Sequence, residues 1–415
     1  MAVKTENNQM KMVAGLDIGN GYVKGVSSID KQKPTGIDFL SGVAFQTSNY
    51  TIPVPESEAG SVIADIFNEM EASFDSPAVQ DATKRLFGMR AISSGKSMAE
   101  FDVSSTQSKA LQDLSSILIL GSIAGKALQE YWNQHHALPK DLVKIDARLA
   151  LALPITEYMQ YRKIYASRFK DVTHMVSIHN FEQPVRIEIS VSDVQVLAEG
   201  ASAQYALSYS PNAPQLMDAM LGDLRKHGFA FEGITSADIL CAKNTVGIDI
   251  GEGTVNFPVF QDGHFNADAS GTFAKGYGTV LEQARERLVA ANMPFGSRKA
   301  LAEFMQQKPS PLQQARYNKV KRVVDEEILG FVTEVLNEFH KVMSKAGSFV
   351  EVLYVYGGGA TPVKDQFYDH LLAAVKSLGG EDVMFPVLYL DSRYSRFLNR
   401  EGLFIIAKNL ADKLG

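Results

Sequence analysis

Two stretches of this chain repeat one another. AGLDIGNGYVK (Ala14–Lys24) and VGIDIGEGTVN (Val246–Asn256) align without a gap, 232 residues apart, and share six of eleven positions. In each copy an apolar run enters an aspartate, Asp17 or Asp249, then two glycines separated by one residue, then a second apolar run beginning near Val23 or Val255. Apolar runs on either side of a glycine turn predict a β-hairpin. Its recurrence predicts a duplicated domain, which few folds can accommodate. Glycine at 19, 21, 251 and 253 would let backbone N–H groups approach an anion closely, where a β-carbon would stand in the way. A lone Asp-x-Gly-x-Gly is ordinary turn chemistry. Two copies point further, to a nucleotide clamped between the halves, with Asp17 and Asp249 facing each other. At about 6 Å and an effective dielectric near 20 the two carboxylates would repel by roughly 3 kcal/mol, which a divalent cation would offset. Lys24 occurs only in the first copy, where Asn256 is its counterpart.

Composition narrows the class. A chain of 415 residues that is 45% hydrophobic has material for two or more domains, which excludes disorder and a small disulfide scaffold. The net charge of −6 argues against direct nucleic-acid binding. The single cysteine, Cys241, sits among apolar neighbours and reads as a buried thiol in a reducing, cytoplasmic compartment. Eight scattered histidines without HExxH or CxxC spacing leave carboxylates and phosphates as the expected metal ligands. Met1 to Met12 is polar, lacks the apolar block of a secretory signal, and reads as a disordered tail. The longest apolar run, Ile117 to Gly125, is too short to span a membrane and is expected as a buried helix.

A third glycine cluster follows. Val352–Tyr356 reads as a strand running into Gly357-Gly358-Gly359, with Pro362 and Val363 opening a helix. Three glycines would let a flat base or a ribose phosphate lie against the backbone. Strands and helices alternate along the chain, giving an α/β class with two mixed-sheet domains. The first is expected over 1–200, completed by 387–415, and the second over 201–386. Helices are expected from Tyr277 to Asn292 and from Leu312 to Met343, and Ser208 to Lys243 reads as a surface insertion.

In this order the three motifs resemble the actin, sugar kinase and heat-shock chaperone superfamily, and within it the bacterial actin-like ParM proteins. GLDIGNGYVKG is similar to the first phosphate motif, IDIGEGTVNFPVF to the second and YGGGATPVKD to the adenosine motif. LALALPITEY and EISVSDVQVLAEGASAQYAL resemble the connecting segments. The resemblance covers nearly the whole chain and implies an actin-like fold, two duplicated RNase H-like domains around a nucleotide cleft. It implies ATP, or GTP, with Mg2+. Asp17 would bind the metal through water, and Asp249 would lie at the metal and orient or polarise the attacking water. Gly19, Asn20, Gly21, Tyr22 and Lys24 would contact the β- and γ-phosphates, Tyr22 through its backbone. Gly251, Gly253 and Thr254 would close over them, and Gly357, Gly358, Gly359 and Ala360 would meet the adenosine. Glu157 matches the second water-positioning acid, its alternative being a solvent-facing acid at a helix start.

The implied activity is an ATPase that forms homopolymeric filaments and segregates plasmid DNA through a ParR-type adaptor. A sugar or acid kinase of the same superfamily and a membrane-associated MreB-like filament are the alternatives, while a chaperone would need a further peptide-binding domain. Ser94-Gly-Lys-Ser97 lacks the first glycine of a phosphate loop. Gly276 to Gly278 reads as a turn beside the nucleotide cleft. The segment from Arg400, with Leu403, Phe404, Ile405, Ile406, Leu410 and Leu414 near helical spacing, is expected to pack on the first domain rather than on a membrane.

Overall fold

The computed structural model describes residues 9–47, 52–101, 107–229, 231–347, 349–378, 385–390 and 392–413. The chain divides into two compact units. Unit 1 comprises Met1–Leu153, Glu157–Ala198 and Asn399–Gly415, and unit 2 comprises Pro154–Thr156 and Glu199–Leu398.

Both repeats fold as hairpins, and in the same register. In unit 1, Gln9–Ile18 pairs antiparallel with Tyr22–Ile29, placing Asp17 opposite Lys24 and Ile18 opposite Val23. In unit 2, Thr245–Ile250 pairs with Val255–Phe257, placing Asp249 opposite Asn256 and Ile250 opposite Val255. The turns close alike: Gly19 N–H donates to Tyr22 O (3.1 Å), and Gly251 N–H donates to Thr254 O (2.9 Å).

The likeness extends to the sheets. In unit 1 the first strand is flanked on one side by the antiparallel Tyr22–Ile29 and then Thr35–Leu40, and on the other by the parallel Val143–Leu153 and then Val185–Ala198. In unit 2, Thr245–Ile250 has antiparallel Val255–Phe257 and then Gly271–Phe273 on one side, with parallel Val352–Tyr356 and then Val387–Tyr389 on the other. Order and direction of these five strands are the same in both units. Unit 1 extends its sheet through Thr173–Ile178, Glu71–Asp75, Lys84–Phe87, Gly42–Gln46 and Met98–Glu100. In unit 2 the second strand is interrupted at Pro258, which cannot donate to the ladder, and resumes as Val259–Gln261.

Each unit has its own core. The apolar run read as a buried helix lies in Asp113–His135, where Leu118 through Ala124 are buried against the sheet of unit 1. Among the described residues no helix is long and apolar enough to cross a membrane. The C-terminal helix, Leu398–Lys413, uses its apolar face on the same sheet: Leu403, Ile406 and Ala407 pack on Ala150, Ala152 and Leu197. Gly15 permits this approach, because a β-carbon there would run into the backbone of Leu403 and Phe404. Leu414 lies outside the described residues.

Four expectations are corrected. Residues 9–12 are strand, not tail: Gln9-Met10-Lys11-Met12 alternates, so Met10 and Met12 are buried while the strand pairs with Lys144–Ala147. Residues 1–8 lie outside the described residues. Ser208 to Lys243 is not a surface appendage, because the helix Ala213–Lys226 buries Ala213, Met217, Met220, Leu221 and Leu224, one face of a helical period, in the core of unit 2. Residues 387–398 fall in unit 2, since Val387–Tyr389 adds a parallel strand beside Val352–Tyr356. Cys241 is exposed. It ends the short helix Ser236–Cys241, in which Ile239 is the buried residue, and two positions later a helix has turned most of the way to its other face. Thiol labelling tests this directly: native protein takes up one equivalent without denaturant, whereas a buried thiol would react only after unfolding.

Candidate functional site

The first glycine turn ends a buried strand. Asp17 is 8% exposed, while Gly19, Asn20, Gly21, Tyr22 and Lys24 are partly exposed. Gly19 lies outside the left-handed region. Its constraint is steric, since a β-carbon would sit 2.8 Å from Tyr22 O. Gly251 repeats this, with Thr254 O at 3.0 Å. At Gly19 the turn itself already demands glycine, and at Gly251 a β-carbon would require the Thr254 carbonyl to give way.

A cation that the motif reading missed stands at the first turn. Lys109 is 8% exposed, and its ammonium donates to Ile18 O (3.2 Å), one residue beyond Asp17. Glu157 holds it in place. Sited in the first turn of the helix Ile155–Ser167, Glu157 accepts at Oε2 from Ser108 Oγ (2.5 Å) and from Lys109 N–H (2.9 Å). Its carboxylate therefore anchors the segment that carries Lys109, and it is not simply a solvent-facing acid. The Ser108–Lys109 signal is non-local and carries no motif.

Unit 2 gathers a denser set. Asp249 is 4% exposed and Asn256, across the hairpin, 2%. Asn256 uses its whole amide: Oδ1 accepts from Thr272 Oγ1 (2.8 Å) and Ile155 N–H (3.4 Å), and Nδ2 donates to Glu199 Oε2 (3.0 Å) and Thr254 Oγ1 (3.3 Å). A lysine, as at the matching position 24, has no acceptor and could not serve this network. Glu199, 7% exposed, is a buried acid that the motif reading passed over. It directly follows the strand Val185–Ala198, whereas Glu157 comes four positions after the end of Val143–Leu153, and its place at a strand end was its available signal. Gly200, next in sequence and at φ +78°, comes close to Asp249: a β-carbon there would lie 3.3 Å from Asp249 Cβ. Tyr356 O–H donates to Gly200 O (2.8 Å). Burial first, then the charge of Asp249, hold this phenol well above its usual range, so it stays a donor.

The triglycine turn packs on the second hairpin. Gly357, at φ +101°, has no room for a β-carbon, which would meet the Ile250 backbone and stand 2.5 Å from Asp249 Oδ1. Gly359 N–H donates to Ile250 O (2.8 Å), and a β-carbon on Gly359 would be 2.9 Å from Ile250 Cγ2. Ser395 Oγ donates to Gly357 O (2.8 Å). Gly358 differs, being exposed with nothing nearer its β-carbon position than Arg396 Cγ at 3.9 Å. Ala360 then starts the helix Ala360–Leu378. The Gly276–Gly278 turn closes over the same place: Tyr277 N–H donates to Gly251 O (3.0 Å) and Gly278 N–H to Glu252 O (2.8 Å). Asp249, Glu199, Thr254 and three glycine turns thus share one neighbourhood within unit 2.

Two family models match the chain. "Actin like proteins N terminal domain" covers residues 15–201, and "Archaeal actin homologue MreB-like, C-terminal" covers residues 247–369. The chain is an actin-like protein. Its fold is similar to that of the actin-like protein Alp7A, at 16% identity and a TM-score of 0.64 over 97% of each chain. It is also similar to a 15-stranded ParM filament from Clostridium botulinum, at 14% identity and a TM-score of 0.61 over 97% of this chain and 99% of that one. Bacillus thuringiensis ParM with ATP aligns over 99% of this actin-like chain and 100% of its own, at 16% identity and a TM-score of 0.57. No curated protein sequence matches.

Proposed function

We propose that this actin-like chain is an ATPase that assembles into filaments with itself and segregates plasmid DNA through a separate ParR-type adaptor. The duplicated turn carries the reading: an aspartate, a closing glycine bond and a cross-strand partner recur in one register in two units. The ParM neighbours, one described with ATP and one as a filament, support it. A charge of −6 suits an indirect connection to DNA.

In this reading both turns hold one nucleotide. Backbone N–H groups of Gly19 to Tyr22, with Lys24 and Lys109, neutralise the β- and γ-phosphates, and Gly251, Gly253 and Thr254 close on them. Gly358 gives the adenosine an open backbone, while Gly357 and Gly359 fix the turn that presents it with Ala360. The donor set suits Mg2+: the carboxylates of Asp17 and Asp249 would supply hard oxygen ligands. Mg2+ commonly keeps waters and takes phosphate oxygens, and when bound it supplies charge neutralisation across those oxygens. Asp249 orients the attacking water. We assign the second acid of this step to Glu199 rather than Glu157, because Glu199 shares Asn256 with the Asp249 hairpin while Glu157 is committed to Ser108 and Lys109.

Ultracentrifugation with and without ATP and magnesium tests the function. The protein should sediment only with both. A protein that stays soluble and consumes ATP only when a sugar or acid acceptor is added would be a kinase instead. Asp17→Ala should weaken magnesium-dependent nucleotide binding by roughly tenfold, the scale of a lost charge-assisted contact. Unchanged affinity would remove Asp17 from the site.

A further inference from the structure

At the end of Tyr22–Ile29 far from its glycine turn, some 20 Å along the strand, unit 1 contains a cavity of about 360 Å³. That volume suits a small metabolite. Lys126, Trp132, Ile63, Gln32, Lys33 and Glu130 are among its walls.

Lys126 is the unusual group. It is 9% exposed, and among the described residues its ammonium meets no hydrogen-bond or ion-pair partner, only the face of Phe67, with the ring centroid 5.6 Å away. Burial lowers its pKa accordingly. A cation–π contact offsets only part of the cost of desolvating an ammonium. Glu130, one turn along the same helix, does not meet it. Its Oε1 instead accepts from Gln32 Nε2 (2.6 Å) and Gln134 Nε2 (2.7 Å). With exposed Lys33 at the rim, two cations face a single acid, so the cavity is net positive and the Lys126 ammonium, which opens onto it, lacks a counter-ion among the described residues.

We propose that this cavity binds a small molecule bearing an oxyanion, a carboxylate or a phosphate monoester, with Lys126 as the counter-charge and the Trp132 ring as one wall. The anion supplies the partner that the fold withholds from Lys126, which a neutral ligand could not do.

Trp132 is the only tryptophan in the chain, so intrinsic fluorescence reports on this cavity. Full-length protein is titrated with glycerol 3-phosphate, succinate and inorganic phosphate, with glycerol as the neutral control, and each titration is repeated by calorimetry. At least one anion should give a saturable change and raise the melting temperature, while glycerol gives neither. The anion that does so separates phosphate from carboxylate recognition. Lys126→Met should weaken that binding tenfold or more while ATP-dependent sedimentation is retained. Absence of saturable binding by wild type to all three anions in both methods, or equal affinity of Lys126→Met, overturns the proposal. The wild-type titrations and melting shift decide the matter even where the variant fails to fold.

Discussion

Asp249→Ala should release phosphate about 100-fold to 1000-fold more slowly than the unaltered chain, the range seen when one preorganised polar group is removed from a reacting centre, yet should still sediment with ATP. If the chain assembles as proposed, the filaments of this variant should therefore outlast those of the parent. The expectation follows from where Asp249 lies. It is 4% exposed at the end of a central strand, packed by Gly200 and the triglycine turn, so its carboxylate is held in one place before any nucleotide arrives. Phosphoryl transfer to water depends on positioning and electrostatics, and a fixed carboxylate contributes both. Asp249→Asn keeps the shape and should show the same loss, which separates the charge from the packing. Glu199→Gln should slow release comparably. Glu157→Gln should act on nucleotide affinity through Lys109, with hydrolysis of bound ATP little changed. Single-turnover phosphate release at saturating ATP distinguishes these variants. Normal release by Asp249→Ala would remove it from the reaction, and a slow Glu157→Gln beside a normal Glu199→Gln would reverse the assignment of the second acid.

Gly357→Ala should lose about 3 kcal/mol of stability, combining backbone strain with a collision in a packed interior. For a unit of this size that is a fall of roughly 6–12 °C in melting temperature. Two independent constraints act on the residue. Its φ of +101° is strained for any L side chain, and the added methyl would strike the Ile250 backbone and the Asp249 carboxylate. The neighbouring Gly358→Ala meets nothing closer than 3.9 Å and should melt within about 1–2 °C of the parent. Its loss should appear in nucleotide affinity instead. Equal melting temperatures for Gly357→Ala and the parent, measured by calorimetry, would contradict the geometry of the turn.

How much of this could be read before the fold was known depended on distance along the chain. Both hairpins, the strand into Gly357 and the apolar helix around Leu118 were legible because turn chemistry and apolar periodicity are local. Glu199 was not, since its partner Asn256 lies 57 residues away and only the folded unit joins them. Lys109 was hidden for the same reason, 91 residues from the Ile18 carbonyl it meets. Composition misled in two places. Polar residues at Gln9 and Lys11 masked an alternating strand, and apolar neighbours of Cys241 suggested burial for a residue on the outer face of a short helix. The helix Ala213–Lys226 shows its apolar period plainly, but the length of Ser208 to Lys243 between the connecting helix and the second hairpin suggested an insertion. Glycine itself had two readings. Anion approach was the expectation at Gly19 and Gly251, whereas steric closure of the turn already requires glycine at Gly19 and crowds a β-carbon at Gly251.

The central claim is that the two repeated turns grip the same nucleotide. A crystal structure of the full chain with magnesium and a non-hydrolysable ATP analogue tests it most directly. The account predicts one ligand whose phosphates contact backbone N–H groups of both Gly19–Tyr22 and Gly251–Thr254, with Asp17 and Asp249 at the metal. A ligand touching only one turn, or bound elsewhere, would contradict it.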